Sequence, residues 1–241
     1  MPSASQRVPL RDTGLSFTRM GLGGAPLGGL YQPVPTQQAL DTVARAWSLG
    51  IRYFDTAPFY GYGLSERRMG EGLREKPRDE FVLSTKVGRL IRTGVPRDPL
   101  EIDPSGELYY KGAPDELRIV HDYSYDGVRR SVEESLERLG LERIDLLFIH
   151  DPDSVELDPS PDGHVRKMME GAYRAVRELR DQGVVRAIGV GMNQVEMLVR
   201  FAKAGDFDVF LVAGRYTLLD QVALKELLPL CLEKGIRVVI G

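Results

Sequence analysis

An acid, a tyrosine, a lysine and a histidine stand at or just beyond the ends of three separate apolar runs in this chain. Asp55 closes the run Tyr53-Phe54-Asp55, and Tyr60 follows in a loop punctuated by Pro58 and Gly61. Lys86 follows Phe81-Val82-Leu83-Ser84-Thr85, and His150 follows Ile144-Asp145-Leu146-Leu147-Phe148-Ile149. A free phenol, with a pKa near 10, is a poor proton donor or acceptor at neutral pH. A neighbouring ammonium favours the phenolate and lowers that value. Lys86 is the candidate source of such a field, and Asp55 the candidate group that keeps Lys86 charged and oriented. Tyr60 then becomes a candidate general acid or base. His150 is placed to hydrogen-bond a carbonyl or hydroxyl oxygen. The set suits reduction of a carbonyl or oxidation of a carbinol. No side chain carries hydride, so a nicotinamide cofactor, NAD or NADP, is implied. Each residue alone has an ordinary reading: a turn acid, a loop tyrosine, a solvated lysine, a turn histidine. Their recurrence at strand ends is what points to a site.

Short apolar runs predict strands at 20–22, 53–56, 82–86, 144–149, 187–190, 209–213 and 237–240. Patterns of helical period separate them. Thr36 is a candidate cap for a helix carrying Leu40, Val43 and Trp47 that stops at Gly50. Val128, Val132, Leu136 and Leu139 form a stripe ending at Gly140, and Met168, Ala172, Val176 and Leu179 form another ending at Gly183. Alternating strands and helices imply a parallel sheet with right-handed crossovers. An open doubly wound sheet would announce itself with a pyrophosphate-binding G-x-G-x-x-G turn. Gly21-Leu22-Gly23-Gly24-Ala25-Pro26 lacks the third glycine and carries a proline that would disturb the helix. A (β/α)8 TIM barrel is the better expectation. The seven strands counted fall one short of closure, so the barrel is expected to be C-terminally incomplete in this chain, either a partial chain or an incomplete barrel.

Residues 88–124 interrupt the rhythm with scattered prolines, glycines and the aromatics Tyr109, Tyr110 and Tyr123. A loop of this length is expected to be a lid over the barrel mouth or a disordered insert. A shorter insert at 151–163 would form the opposite wall. Neither reads as a boundary, so 1–241 is taken as a single barrel domain.

The 241 residues, 42% hydrophobic and 28% charged, suit one core of barrel size. With 32 basic against 35 acidic residues the net charge is −3, which offers no basic surplus for nucleic acid or an anionic membrane. The lone Cys231 excludes an intrachain disulfide and fits a reducing compartment. No run approaches the roughly 18 apolar residues of a membrane span, and no signal-peptide core is evident, so a cytoplasmic location is expected. Three histidines without ligand spacing give no metal site. Oligomeric state is not legible.

The motifs together resemble the aldo-keto reductase superfamily. Gly50-Ile51-Arg52-Tyr53-Phe54-Asp55-Thr56-Ala57 with Tyr60-Gly61 and Ser65-Glu66 is similar to the signature after its second strand. Ser84-Thr85-Lys86, Arg130-Ser131 through Gly140, Ile144-Asp145-Leu146 to His150, and Ile188-Gly189-Val190-Gly191-Met192-Asn193 resemble later signatures. The resemblance implies that Asp55, Tyr60, Lys86 and His150 form a catalytic tetrad. It implies that Met192 and Asn193 contact the nicotinamide carboxamide, and that Gly24 and Asp55 lie where the chain meets cofactor or substrate. The strand 6 glutamine of many members falls near Ala213, and the nicotinamide-stacking aromatic near Gly241, both departures. Ala213-Gly214-Arg215-Tyr216-Thr217-Leu218-Leu219 resembles the branch that oxidises aldoses of the L-fucose or D-threo type at C1 to the lactone. Pyridoxal 4-dehydrogenases share that branch and give the alternative, beside general aldehyde or ketone reduction. A cofactor-binding regulatory or structural barrel without turnover is the reading from another class. Arg215 has two readings: contact with cofactor phosphate, or an ion pair on the barrel rim.

Overall fold

The computed structural model describes residues 3–241. Two strands unforeseen from the sequence, β1 (Arg7–Leu10) and β2 (Leu15–Thr18), form an antiparallel hairpin. The main sheet then begins with β3 (Leu22–Gly23), followed by α1 (Thr36–Ser48), β4 (Tyr53–Asp55), α2 (Leu64–Leu73) and β5 (Val82–Val87). The 88–124 insert contains β6 (Arg89–Arg92) and β7 (Arg118–His121), an antiparallel pair, so it is ordered. Next come α3 (Tyr125–Leu139), β8 (Leu146–His150), α4 (Pro161–Met168), α5 (Arg174–Asp181) and β9 (Ala187–Met192). The chain continues through α6 (Val195–Ala204), β10 (Val209–Val212), α7 (Leu227–Lys234) and β11 (Arg237–Ile240).

Seven parallel strands are ordered β11-β10-β9-β8-β5-β4-β3. Every residue of β4, β5, β8 and β9 is buried, as a parallel sheet covered on both faces demands. This is the incomplete (β/α)8 barrel expected from the strand count, open between β3 and β11. One face packs on the helices. Across the other, the first residues of the strands, Tyr53, Val82, Leu146, Ala187 and Val209, cluster with Leu10, Leu15 and Phe17 of the hairpin. The hairpin thus plugs the end where the strands start. The end where they finish is left for chemistry.

Several boundaries differ from those predicted. The first strand moves from 20–22 to Leu22–Gly23, the fourth starts at Leu146 and takes in His150, and the fifth runs on to Met192. Asp145 is excluded because its carboxylate is engaged at the strand's foot, accepting from Leu83 N at 2.8 Å and Arg78 Nη2 at 2.6 Å. Thr36 does not cap α1; Pro35 holds the cap position, and Thr36 Oγ1 accepts from Arg68 Nη2 at 3.1 Å. Gly140 ends α3 as expected, at φ +59°, and at its unforeseen start Ser124 Oγ accepts from Gly127 N at 3.0 Å. The Met168 stripe is not one regular helix. A π turn, Met169–Tyr173, separates α4 from α5. There Gly171 lies so close to the Tyr123 carbonyl that a Cβ would stand 2.5 Å from it. Among the described residues no helix is long and apolar enough to cross a membrane.

Candidate active site

Strand register brings the first two site residues together. β4 and β5 pair Asp55 with Ser84, and Lys86, two residues on, projects from the same face. Lys86 Nζ donates to Asp55 Oδ2 at 2.6 Å and to the Thr56 carbonyl at 2.9 Å. Ser84 Oγ donates to Asp55 Oδ1 at 2.7 Å, so both carboxylate oxygens are held. Lys86 is only 1% exposed. Burial pulls its pKa down, but the Asp55 charge and hydrogen bond, reinforced by Tyr60, outweigh burial and hold it above the ordinary lysine value.

The Tyr60 loop is fixed by backbone approach. Gly61 takes φ +67°, and a Cβ on Gly28 would stand 2.5 Å from the Tyr60 carbonyl carbon. Only glycine allows that contact. Tyr60 N donates to the Ala57 carbonyl at 3.1 Å, and Ser65 N donates to the Tyr60 carbonyl at 3.0 Å. Lys86 Nζ lies 4.5 Å from the centroid of the Tyr60 ring, and the His150 ring meets it edge-on at 5.8 Å. The sequence led to a phenol lowered by Lys86. In the structure burial is the larger influence, and it raises the Tyr60 pKa; Lys86 pulls down against it, and Asp55 adds a further upward push. The net shift is upward, so Tyr60 keeps its proton at neutral pH.

His150 ends β8 with its Nε2 3.5 Å from Asp151 Oδ2. Burial, with Arg89 and Lys86 nearby, pushes its pKa well below the ordinary histidine value. A neutral imidazole results, able to donate one hydrogen bond without bringing a charge. Two neighbours were missed in the sequence. Arg89 Nη2 donates to Asp151 Oδ2 at 2.9 Å and to Ser154 Oγ at 2.8 Å. Asp151 follows His150 directly, and Arg89 lies three residues beyond Lys86. Only the fold joins them, across the start of the insert. Tyr123 Oη donates to the carbonyls of His150 at 2.6 Å and Asp151 at 2.9 Å, which buttresses this corner. Asp151 and Tyr31 line the cleft, Tyr62 packs in the aromatic cluster with Tyr60, and all three have positive φ, at 36°, 62° and 53°. Left-handed backbone in non-glycine residues is strained and gathers at functional sites.

The insert packs over this region. Tyr31 N donates to the Tyr109 carbonyl at 2.7 Å, and Lys111 N to the Gly29 carbonyl at 2.9 Å. Glu101, 1% exposed, accepts from Tyr62 Oη and from Arg97 Nη1 at 3.0 Å. A cleft of about 400 Å³ results, walled by Tyr60, Lys86, His150, Tyr110, Met192 and Asn193. A larger groove of about 690 Å³ runs between α4 and α6, but it is a more open surface feature and holds none of the candidate catalytic groups.

The remaining sequence candidates divide. Met192 and Asn193 line the cleft beside Gly191, Leu211 and Ala213. An exposed carboxamide beside a small, apolar floor fits the reacting end of a nicotinamide, which is flat and carries one amide. Asp55 belongs to the Lys86 pair beneath. Gly24 is set back: its N–H donates to the Asp55 carbonyl at 2.7 Å, and its own carbonyl accepts from Ser65 Oγ at 2.7 Å. A Cβ there would meet Ser65 Oγ at 2.5 Å, which accounts for the glycine by packing. Arg215 makes the rim contact, with Nη1 3.0 Å from Asp220 Oδ2 and Nε donating to the Asn193 carbonyl at 3.1 Å.

Comparison with known proteins gives the family and the fold. The model of the Aldo/keto reductase family matches residues 19–240. A D-threo-aldose 1-dehydrogenase of Pseudomonas sp is 44% identical over 226 residues, spanning 94% of this chain and 65% of the relative. A pyridoxal 4-dehydrogenase of Microbacterium luteolum is also 44% identical, over 245 residues, spanning 99% of this chain and 70% of the relative. Among solved structures, a glycerol dehydrogenase of Gluconobacter oxydans superposes with a TM-score of 0.71 at 26% identity, covering 98% of this chain and 63% of that one. The chain thus spans about two thirds of the length of the curated relatives it matches.

Proposed function

The chain belongs to the aldo/keto reductase family, and on that premise we propose that it is an NAD(P)-dependent oxidoreductase acting at C1 of an aldose. Convergence of Asp55, Lys86, Tyr60 and His150 on one cleft is the observation that carries this reading. When bound, the nicotinamide would exchange a hydride with the substrate carbon. Met192 and Asn193 would hold its carboxamide end, with Gly24 and Asp55 shaping the floor beneath. Arg215 would contribute by fixing Asn193 through its carbonyl.

The chain's own residues handle the oxygen and its proton. Neutral His150 donates a hydrogen bond that orients the carbonyl or hemiacetal oxygen. Tyr60 gives its proton to that oxygen in reduction and takes it in oxidation. Lys86 stabilises the phenolate that reduction leaves, and Asp55 keeps Lys86 charged. Because Tyr60 is protonated at neutral pH, the resting site is poised as an acid, and oxidation to a lactone requires phenolate. The 88–124 insert acts as a lid that keeps water from the cleft. A reducing cytoplasm suits the buried Cys231, whose thiol burial pushes up to about 11.

One observation favours pyridoxal as a second substrate: Tyr31, Phe59 and Tyr110 give the cleft an aromatic wall suited to a flat ring. Absorbance at 340 nm with L-fucose or pyridoxal and either NAD⁺ or NADP⁺ tests the proposal. Tyr60→Phe should lower the rate by roughly 10² to 10⁴. Wild-type turnover in that variant would remove Tyr60 from the chemistry. Cofactor binding without turnover across sugars and aldehydes would favour a binding barrel instead.

A further inference from the structure

Arg89 and Asp151 line the same cleft as Tyr60 and His150, and the proton-transfer scheme uses neither. Arg89 is deeply buried and spends Nη2 on Asp151 and Ser154. Its Nε is buried without a partner, and its Nη1 makes no hydrogen bond among the described residues. Asp151 uses Oδ2 on Arg89, and its side chain is 36% exposed. Arg89 and Asp151 thus line the cleft side by side, with hydrogen-bonding capacity left over in both. They are held there independently of any ligand. The Arg89 guanidinium lies 4.8 Å from the Phe59 ring centroid. Asp151 N donates to the Gly191 carbonyl at 2.9 Å, and Tyr123 Oη clamps the Asp151 carbonyl. Asp151 is kept at φ 36° by these contacts. A charged pair with one member buried and the other partly exposed, held in strained backbone and left half-satisfied, is a poor device for stability alone.

We propose that Arg89 and Asp151 form a subsite for the hydroxyl next to the reacting carbon, selecting 2-hydroxyaldehydes and aldoses over their 2-deoxy counterparts. A hydroxyl is both donor and acceptor, so it donates a hydrogen bond to the Asp151 carboxylate and accepts one from Arg89. Position follows from His150, whose Nε2 lies 3.5 Å from Asp151 Oδ2. An oxygen bound at Nε2 places the neighbouring substituent against the pair. The subsite rests on the oxidoreductase reading for its orientation, and it deepens that reading by giving a reason for sugar preference. A site built to hydrogen-bond a hydroxyl rejects the analogue lacking it, because its own polar groups are then left unpaired.

The test compares L-fucose with 2-deoxy-L-fucose in two ways. Calorimetry in the presence of NADH or NADPH measures binding in a complex that cannot oxidise the sugar. Steady-state oxidation with NAD⁺ or NADP⁺ measures kcat and KM. Wild type should prefer L-fucose by tenfold or more in both, chiefly through affinity and KM. Asp151→Asn, which tolerates the left-handed backbone, and Arg89→Met should each erase most of that preference, while Arg89→Lys should restore part of it. Purely structural damage would weaken both sugars alike. Equal binding of the two sugars by wild type, binding of neither, or an unchanged preference in folded variants would overturn the subsite. Preference in binding without any turnover would support the subsite while defeating the oxidoreductase reading. If Asp151→Asn does not fold, the wild-type comparison and Arg89→Lys decide.

Discussion

Two ion pairs flank the Tyr60–His150 contact, and they are built in opposite ways. Asp55–Lys86 joins adjacent strands, is 10% and 2% exposed in its side chains, and has every strong acceptor satisfied. Arg89–Asp151 joins the root of an insert to the loop after β8, is 6% and 36% exposed, and keeps hydrogen-bonding capacity for the cleft. The first pair acts through Tyr60 and is held by sheet register, which tolerates little change. The second is carried by connections that can vary without disturbing the sheet. On the proposed scheme this is a division of labour, with the charge that tunes proton transfer on the main sheet and substrate choice on its connections.

Removing the strand-borne cation should have the largest effect. Lys86→Met leaves Asp55 without its charged partner in a buried site, which costs about 3–5 kcal/mol where such pairs have been broken. It also takes away the one influence that pulls the Tyr60 phenol down. Turnover should fall by roughly 10³ or more, within the range of general acid–base catalysis. A folded Lys86→Met protein that loses no more activity than Arg89→Met would collapse the distinction between the pairs.

Wild-type pH dependence sharpens the same point. Burial holds Tyr60 above the ordinary phenol value, so phenolate is scarce at pH 7 and grows as pH rises. The kcat/KM for oxidation should climb through pH 9 and beyond, reporting the free protein. Reduction, which needs the protonated phenol, should stay level over that range. An oxidation profile already flat by pH 8 would mean that Lys86 prevails over burial once cofactor is present.

The sheet side of this contrast was legible in the sequence, and the loop side was not. Asp55, Lys86 and His150 were found because each ends an apolar run, and strands of one parallel sheet deliver their ends to one place. The register that pairs Asp55 with Ser84 makes Lys86 reach Asp55. Arg89 and Asp151 carry no such periodic signal, since an acid in a loop and a base at the root of an insert declare themselves only once the chain brings them to 2.9 Å. The sign of the Tyr60 shift escaped for a similar reason: spacing reveals a neighbouring charge, but not the depth of burial that opposes it. The β1–β2 hairpin was also missed, because its strands are short and their apolar residues sparse.

The insert offers a smaller test, through stability. Glu101 is the anchor that ties it to the tyrosine loop. Its carboxylate accepts from Tyr62 Oη, from Arg97, from Asp98 N at 2.9 Å and from Ile119 N at 3.3 Å. Burial first, and then Glu101, raise the Tyr62 pKa, so that phenol remains a donor. Glu101→Gln keeps the shape but removes the charge and turns one acceptor into a donor. The cost should be about 1–3 kcal/mol, a fall in melting temperature of roughly 2–4 °C per kcal/mol for a domain of this size. Amide exchange should rise across 88–124 before it rises in β5 or β8. Unaltered exchange in the insert would show that its packing against Tyr31 and Gly29 is sufficient.

The smallest effect concerns His150 itself. Burial, with Arg89 and Lys86, holds its pKa well below the ordinary 6.5. Below pH 6.5 the unfolded chain therefore binds a proton that the native site refuses. Stability is present in full above that value and drains away as pH falls through the native pKa. The slope from one such group is at most about 1.4 kcal/mol per pH unit. His121 is shifted the same way by burial and Arg89, so it adds a slope of the same sign. His150→Gln should leave the His121 contribution and remove its own, giving a shallower loss of melting temperature between pH 6.5 and 5. It should do so even if the variant is less stable at pH 7. Equal slopes in wild type and variant would mean that His150 takes up its proton in the folded protein, and that the cationic corner formed by Arg89 and Lys86 does not keep it neutral.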